Sequence, residues 1–527
     1  MNSIVLRASI ALAALALGAP LEAKTLRYSM QDDATTLDPH AANLLGVGRL
    51  TQNVYESLVG RDKDFKMVPA LALSWSQPDA STWRFKLRPN VKFHDGSTLS
   101  ADDVVFSVER ALHPLSQLKS SVQGIVSARK VDDLTVELAM KEPNPVLLNH
   151  LFNLRIMSKP WSAKNGALTP QNYKDKEDTF ASRNTNGTGP YMVTVRQPDV
   201  KTVLVENPHW WNRASAERGN VTQVVVSPIK AAGTRLAALL SGEVDFVIDP
   251  PLQDVGRLKS APELKVVQGG EPRVQFFGFD VHRDELLYSN VKGRNPFKDV
   301  RVRQAFAHAI DVESIRTKIY RSLMVPGASI VATQVQGYSR ETDRPLKFDR
   351  ERARKLLSEA GYPDGFEVVI DCSNAPPASD ACQSFAPMLA QVGIKLTPNL
   401  LVPTNFFPKI QKFDTSMFFY SWGSTTFDSL YVLQSLLYTN SNDQNGNGDS
   451  NLGRYSNAKV DRLIDQVKVE TDMKKRDSLI REVLAIVSAE LPVVPLYQPV
   501  NSWAMRRNVS AAFSPNNVPY FFRFRVD

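Results

Sequence analysis

Residues 82–96 read Thr82-Trp83-Arg84-Phe85-Lys86-Leu87-Arg88-Pro89-Asn90-Val91-Lys92-Phe93-His94-Asp95-Gly96. They are followed by Ser100-Ala101-Asp102-Asp103-Val104-Val105-Phe106-Ser107-Val108-Glu109-Arg110-Ala111-Leu112. In the first block apolar Trp83, Phe85 and Leu87 alternate with cationic Arg84, Lys86 and Arg88, the period-two pattern of a strand with one solvated face. Pro89-Asn90 then turns the chain into Val91 and Phe93, and Asp95-Gly96 is a standard turn dipeptide. In the second block Ser100 and Asp103 form a capping-box pattern, after which Val104, Val105, Val108, Ala111 and Leu112 recur at helical spacing. A half-buried strand leading into a capped amphipathic helix is the unit of an α/β chain.

The same two patterns recur outward from this stretch. Leu134, Val136, Leu138 and Met140 predict another strand. Val302, Ala305, Phe306 and Ala309 follow Asp299 on one helical stripe. Ala353, Leu356, Leu357 and Ala360 do the same, closed by Gly361 as a left-handed cap. Val460, Leu463, Ile464 and Val467, and then Ile480, Val483, Leu484 and Val487, predict two more helices. All of these are core faces. No internal repeat or long low-complexity linker interrupts them. The one biased segment, Ser441 to Asn451, is rich in Asn, Asp and Gly and reads as a surface loop.

The amino terminus indicates export. Met1 to Arg7 give a basic lead, and the apolar run Ala8 to Ala19 is shorter than the ~20 residues that a spanning helix needs. Pro20 breaks the run, and Leu21-Glu22-Ala23 supplies a cleavage site, so residues 1–23 are expected to be a cleavable signal peptide and the site of action the periplasm. About 500 residues remain, too many for one hydrophobic core, so two or three domains are expected. No other apolar stretch is long enough to span a membrane. The net charge of +8 is scattered among 55 acidic residues, with no basic helix or arm, which argues against nucleic acid as a partner. The only two cysteines, Cys372 and Cys382, lie in a loop-like stretch and in an oxidising compartment are most simply one local disulfide.

No catalytic constellation emerges. There is no nucleophile elbow, no phosphate-cradling glycine loop and no histidine pair at metalloprotease spacing. His94-Asp95 resembles an acid/base pair but sits where a turn is due. Asp443, Asn445, Asn447, Gly448 and Asp449 fit the opening of a calcium loop, yet the position that requires a bidentate Glu is Arg454. No metal and no cofactor is expected.

Ordered blocks along the chain resemble the family 5 extracytoplasmic solute-binding proteins of ABC importers, the dipeptide-, oligopeptide- and nickel-binding group. They are Leu37-Asp38-Pro39-His40, Val54-Tyr55-Glu56-Ser57-Leu58-Val59, Pro69-Ala70-Leu71-Ala72, Trp83 to Arg88, and Val91 to Gly96 leading into Ala101 to Ser107. Further on stand Gly187-Thr188-Gly189-Pro190-Tyr191, Asn207-Pro208-His209-Trp210-Trp211, Ser241 to Asp245, Phe297 to Ala305, and Ala360 to Phe366. The resemblance implies a two-lobed periplasmic-binding-protein fold, type II and of the large peptide-binding subclass, with an extra inserted domain. Lobe I would use residues 24–60, 187–279 and 500–527, the insertion 61–186, and lobe II 280–499. Crossings near 279 and 500 would form the hinge.

By the same resemblance the ligand would lie between the lobes. The family's tryptophan-containing loop matches Ser421-Trp422-Gly423-Ser424-Thr425, and the opposite wall would be Asn43, Leu44 and Leu45. Peptide binders of the family carry an Asp three residues after this Trp, for the ligand's α-ammonium. Here Thr425 stands there, and the nearest acid is Asp428. Dipeptide binders also carry an Arg in the segment matching Asn374 to Ser379, and this chain has none there. An unpartnered buried ligand charge costs several kcal/mol, so oligopeptides are expected rather than dipeptides. A non-peptide organic solute is the alternative, and a secreted hydrolase stands third. The expected partners are that ligand, an inner-membrane ABC permease and its ATPase subunits. The protein itself is expected to be monomeric and not membrane-spanning.

Overall fold

The computed structural model describes residues 24–440 and 446–527, so the expected signal peptide, residues 1–23, lies outside the described residues. Among the described residues no helix is long and apolar enough to cross a membrane.

Strand Thr82–Leu87 forms where the alternation predicts it, with Trp83, Phe85 and Leu87 buried and Arg84 and Lys86 exposed. It is central, with Ala72–Asp79, Thr135–Met140 and Ile125–Asp132, in a four-stranded antiparallel sheet. On the polar face Glu137 accepts from both Arg84 and Arg129 across neighbouring strands. Helix Ala101–Leu112 covers the apolar face with Val104, Val108 and Ala111, and its Ser100–Asp103 capping box is closed in both directions.

The two lobes share a twelve-stranded sheet. Its path runs from Lys395–Leu401 through Glu367–Ser373, Met417–Gly423 and Arg273–Phe279 to the long strand Val493–Arg506. It then continues through Phe246–Ile248, Thr25–Met30, Gln223–Pro228 and Lys201–Glu206 to Tyr191–Gln197. Val493 to Tyr497 pair with Arg273–Phe279, whereas Val500 to Arg506 pair with Leu264–Gly270. One strand therefore belongs to both lobes. The other passage is the short turn at Glu271 and Pro272, whose Glu271 N–H donates to Pro499 O at 2.9 Å. Gln498 Nε2 donates to Glu271 O at 2.6 Å and so ties the two passages together.

Each lobe has its own core. One packs Leu26, Tyr28, Val224, Phe246, Trp503 and Phe521, drawn from separate stretches of sequence. The other packs Phe277, Phe297, Phe306, Ile370, Phe385 and Phe419. The four-stranded unit is fastened to the first by Asp38 and Arg110, both fully buried, with paired bonds of 2.7 and 2.6 Å. Gly187 and Gly189 explain their own block: a Cβ there would sit 1.9 and 2.6 Å from the Val54 carbonyl oxygen. His94 belongs to the same junction. Its Nε2 lies 3.1 Å from Gly189 O, its Nδ1 accepts from the Gly187 N–H, and burial lowers its pKa to about 4.

Two expectations need correction. Cys372 and Cys382 do not share a loop: Cys372 lies in strand Glu367–Ser373 and Cys382 in helix Ala378–Ala390. Both are fully buried and are bonded to each other, because the turn between strand and helix folds one back over the other. Trp422 and Gly423 are also not in a loop. Strand Met417–Gly423 runs on through them because Val274 and Arg273 pair with them.

Candidate functional site

The strand Met417–Gly423 and the hinge turn meet in one place. Ser424 N–H donates to Pro272 O at 2.8 Å, so the segment that follows the strand is attached directly to the passage between lobes. Trp422 is half-buried there. Its ring is stacked on Tyr431 at 5.6 Å and 19° and lies 6.1 Å from Tyr420. The Trp422 indole N–H is buried without a hydrogen-bond partner among the described residues. Thr425 is exposed and stands beside the Tyr431 phenol, whose pKa burial raises.

Arg273 completes this group, and the sequence argument did not find it. Its register partner is Gly423, its Nη1 donates to Ser421 Oγ at 3.1 Å, and its Nε donates to Glu271 Oε1 at 2.9 Å. Its side chain is 40% exposed, so the guanidinium keeps donors free for another partner. The sequence search looked for this charge between Asn374 and Ser379. The available signal was an Arg placed one residue before the apolar run Val274 to Phe279.

Asp428 is placed differently. It is buried, caps helix Ser429–Leu437 through the Leu430 N–H, and takes both Nη1 and Nη2 of the fully buried Arg476 at 2.8 and 2.7 Å. Both of its carboxylate oxygens are engaged inside the protein. Between Thr425 and Asp428, Phe427 takes φ +58° and reaches the four-stranded unit, 4.6 Å from Phe65.

Asn43, Leu44 and Leu45 belong to the other lobe, at the start of helix Leu45–Thr51, and all three are exposed. Leu44 and Leu45 each leave about half of a large apolar side chain in water. Such a pair, though small, is the kind of surface a ligand covers. The structure thus gathers Trp422, Gly423 and Thr425 with Arg273 and Tyr431 on one lobe, sets Asn43 to Leu45 on the other, and withdraws Asp428 into the core.

A sequence profile of the bacterial extracellular solute-binding proteins, family 5 (middle region), matches residues 66–444. The chain belongs to that family. Its mixed α/β, two-lobed architecture is that of the family 5 fold. Heme-binding protein A of Haemophilus influenzae is 26% identical over 90% of this chain and 87% of that protein. The glutathione-binding protein GsiB of Pectobacterium atrosepticum is 29% identical over 87% of this chain and 85% of its own length. Among solved structures, the ABC transporter-associated periplasmic binding protein DppA of Helicobacter pylori, in complex with the peptide STSA, superposes with a TM-score of 0.71. It is 24% identical, with 95% of this chain and 98% of that chain covered. Family 5 proteins serve ABC importers as their substrate-binding components, and this chain is one of them.

For this family 5 protein the calcium-loop pattern leads elsewhere. Asp443 and Asn445 lie outside the described residues. Within them, Asn447 Oδ1 accepts from Lys468 Nζ at 2.7 Å, so an ammonium already meets that oxygen. Arg454 turns away and pairs with Asp280 at 2.9 Å.

Proposed function

We propose that the protein captures peptides, oligopeptides rather than dipeptides, in the cleft between its lobes, and delivers them in the periplasm to an inner-membrane ABC permease driven by ATPase subunits. Trp422, Gly423 and Thr425 would meet the ligand from one side and Asn43, Leu44 and Leu45 from the other. The lobes would divide as 24–60, 187–271 and 500–527 against 272–499, with 61–186 inserted; the crossing expected near 279 moves to Glu271–Pro272 because Phe277 and Phe279 pack in the second core. They would rotate about Glu271–Pro272 and Gln498–Val500, closing as ligand contacts favour the closed state.

The observation that carries the choice of ligand is the charge arrangement beside Trp422. Arg273 stands next to the Trp422–Tyr431 stack with one edge on Glu271 at 2.9 Å and other donors free, and the acid nearest Thr425 in sequence, Asp428, is consumed by Arg476. The free donors of Arg273 favour a carboxylate end, and neither Asp428, held by Arg476, nor Glu271, held by Arg273, is a free anchor for an α-ammonium. Haem, glutathione and peptides, which the names of the relatives mention, all carry carboxylates. A long peptide spreads its affinity over backbone hydrogen bonds and loses little for want of an amine anchor, whereas a dipeptide loses one of its two charges. Thr425, in place of an acid, also favours the second reading, a non-peptide organic acid on the same scaffold. Mass spectrometry of solute carried through purification tests both. Recovered oligopeptides support the first reading, and a recovered non-peptide acid replaces it with the second. Free dipeptides as the main species would overturn the charge argument.

A further inference from the structure

Two apolar side chains cross between the second lobe and the four-stranded unit, one in each direction. Phe427, from the segment after strand Met417–Gly423, is 6% exposed and belongs to the buried cluster of the four-stranded unit, its ring 4.6 Å from that of Phe65. Val146, which follows strand Thr135–Met140, is buried in the second-lobe cluster of Leu433, Leu437, Ile464 and Ile480.

Neither phenylalanine has an easy backbone. Phe65 lies in the turn between strands Val59–Arg61 and Met67–Pro69 with φ +64°, and Phe427 has φ +58°. Glycine takes that conformation freely, whereas a bulky L residue adopts it at a cost. Both positions therefore keep a ring where the backbone alone would favour glycine. The Phe427 segment is also braced. Ser424 N–H donates to Pro272 O at 2.8 Å, Gln336 N–H donates to Phe427 O at 2.9 Å, and Asp428 is fixed by Arg476. The ring thus projects from a firm mount, three residues beyond an attachment to the passage between the lobes.

The seat differs from a permanent joint. One of its walls is the Arg61 guanidinium, 5.2 Å from the Phe427 ring centre, whose Nε and Nη2 are buried with no partner among the described residues. Water that reaches Arg61 when the ring leaves offsets part of the apolar surface exposed at the same time. Beside the crossing, a cavity of about 340 Å³ separates the same two bodies, bordered by Lys141, Glu142 and His150 on one side and Gln434 and Lys468 on the other. A permanent interface packs as densely as a core. The four-stranded unit is fastened to the first lobe by the buried Asp38–Arg110 pair, so a rotation of the second lobe moves Phe427 against Phe65. We propose, on the hinge rotation inferred above, that Phe427 is a latch: its ring, seated against Phe65, holds the second lobe to the four-stranded unit and is withdrawn when the lobes rotate.

The test uses the full mature chain. Spin labels at Val131→Cys on the four-stranded unit and Val469→Cys on the second lobe, both exposed positions, report the separation by pulsed electron paramagnetic resonance. Labelling is specific because Cys372 and Cys382 are buried and bonded to each other. Wild type without ligand should give one narrow distance. Phe427→Ala and Phe65→Ala should each add a second population several ångström longer, and the two together should add little more than either alone, since one contact is removed once. Phe427→Gly, which relieves the backbone, should behave like Phe427→Ala; a wild-type distance there would trace the effect to strain and overturn the latch. A tryptic digest of casein serves as the oligopeptide probe. If the digest shifts the wild-type distance while the Phe variants match wild type, the latch is overturned and the peptide reading stands. If the variants add the longer distance while the digest moves nothing, the latch stands and the peptide reading falls. No movement in either overturns both. If the alanine variants fail to fold, Phe427→Leu and Phe65→Leu, which lose the ring contact but keep apolar bulk, decide by the same distances.

Discussion

Arg476 and Arg61 are both removed from solvent within the same molecule, yet their surroundings are opposite. Arg476 meets Asp428 through two short bonds and gives its Nε to Val467 O, so every part of the guanidinium is used. Arg61 has one neutral acceptor, three aromatic faces and an unfilled edge. Phe427, one residue before Asp428, lies against the Arg61 guanidinium at 5.2 Å. The difference teaches that burial alone does not assign a charged residue its task. A paired buried arginine fixes the backbone around it, here the segment that leads out of strand Met417–Gly423. An unpaired one is held instead by the aromatic faces packed around it.

Breaking the finished pair should have the largest effect. Asp428→Asn leaves Arg476 buried without a counterion and should cost about 3–5 kcal/mol of unfolding free energy, read from urea melts. Replacing both partners, Asp428→Leu with Arg476→Met, should recover most of that loss, since two matched apolar groups need no pairing. A double variant as unstable as the single one would mean that the helix cap of Asp428, not the ion pair, carries the stability.

Glu56 sharpens the other side of the comparison. Its folded pKa of about 7 lies above its ordinary value of 4.5, so folding takes up a proton. Its contribution is fully present below pH 4.5 and is lost as pH rises through about 7. Glu56→Gln should remove that fall, worth about 3 kcal/mol across the window. Buried His94 titrates with the opposite sign as pH falls below 6.5, so the readout is the difference between the two melting profiles.

At the cleft, Arg273→Met should weaken a peptide that ends in a free carboxylate by roughly 1.5–3 kcal/mol and leave its C-terminal amide nearly unchanged. Calorimetry of the pair reads this directly, and equal losses for acid and amide would place the carboxylate elsewhere. The smallest effect concerns Thr425. Free and N-acetylated forms of one bound peptide should agree within about 0.5 kcal/mol, well below what a charge-assisted bond gives. A large preference for the free amine would reveal an acid that the position of Asp428 does not explain.

The fold was legible where its signals are local. Trp83, Phe85 and Leu87 announced their strand by alternation, Ser100 and Asp103 their helix by a cap, and Gly361, at φ +86°, the end of another. The site was less legible because its determinants are contacts between distant segments. Nothing near Asp428 says that Arg476 will take its carboxylate, and nothing near Arg273 says that Gly423 will lie opposite it. Trp422 looked like a loop residue from its Gly and Ser neighbours, but Val274 pairs with it across the sheet and extends the strand. Cys372 and Cys382 were paired correctly yet assigned to a loop, because sequence spacing does not show the reversal between a strand and the helix over it.

The strand Val493–Arg506 also sets the order in which a growing chain can mature. The sheet of Ala72–Asp79, Thr82–Leu87, Ile125–Asp132 and Thr135–Met140 is continuous in sequence and has all its strands early in synthesis. Neither lobe does. Arg273–Phe279 waits for Val493 to Tyr497, Leu264–Gly270 waits for Val500 to Arg506, and Phe521 and Phe524 arrive later still to fill the first core. Until the carboxyl end is available, both lobes hold open sheet edges while the central unit is already complete. Val493–Arg506 is thus the keystone of both lobes: neither lobe's sheet can be finished before it is made, whereas the four-stranded unit needs no strand beyond residue 140.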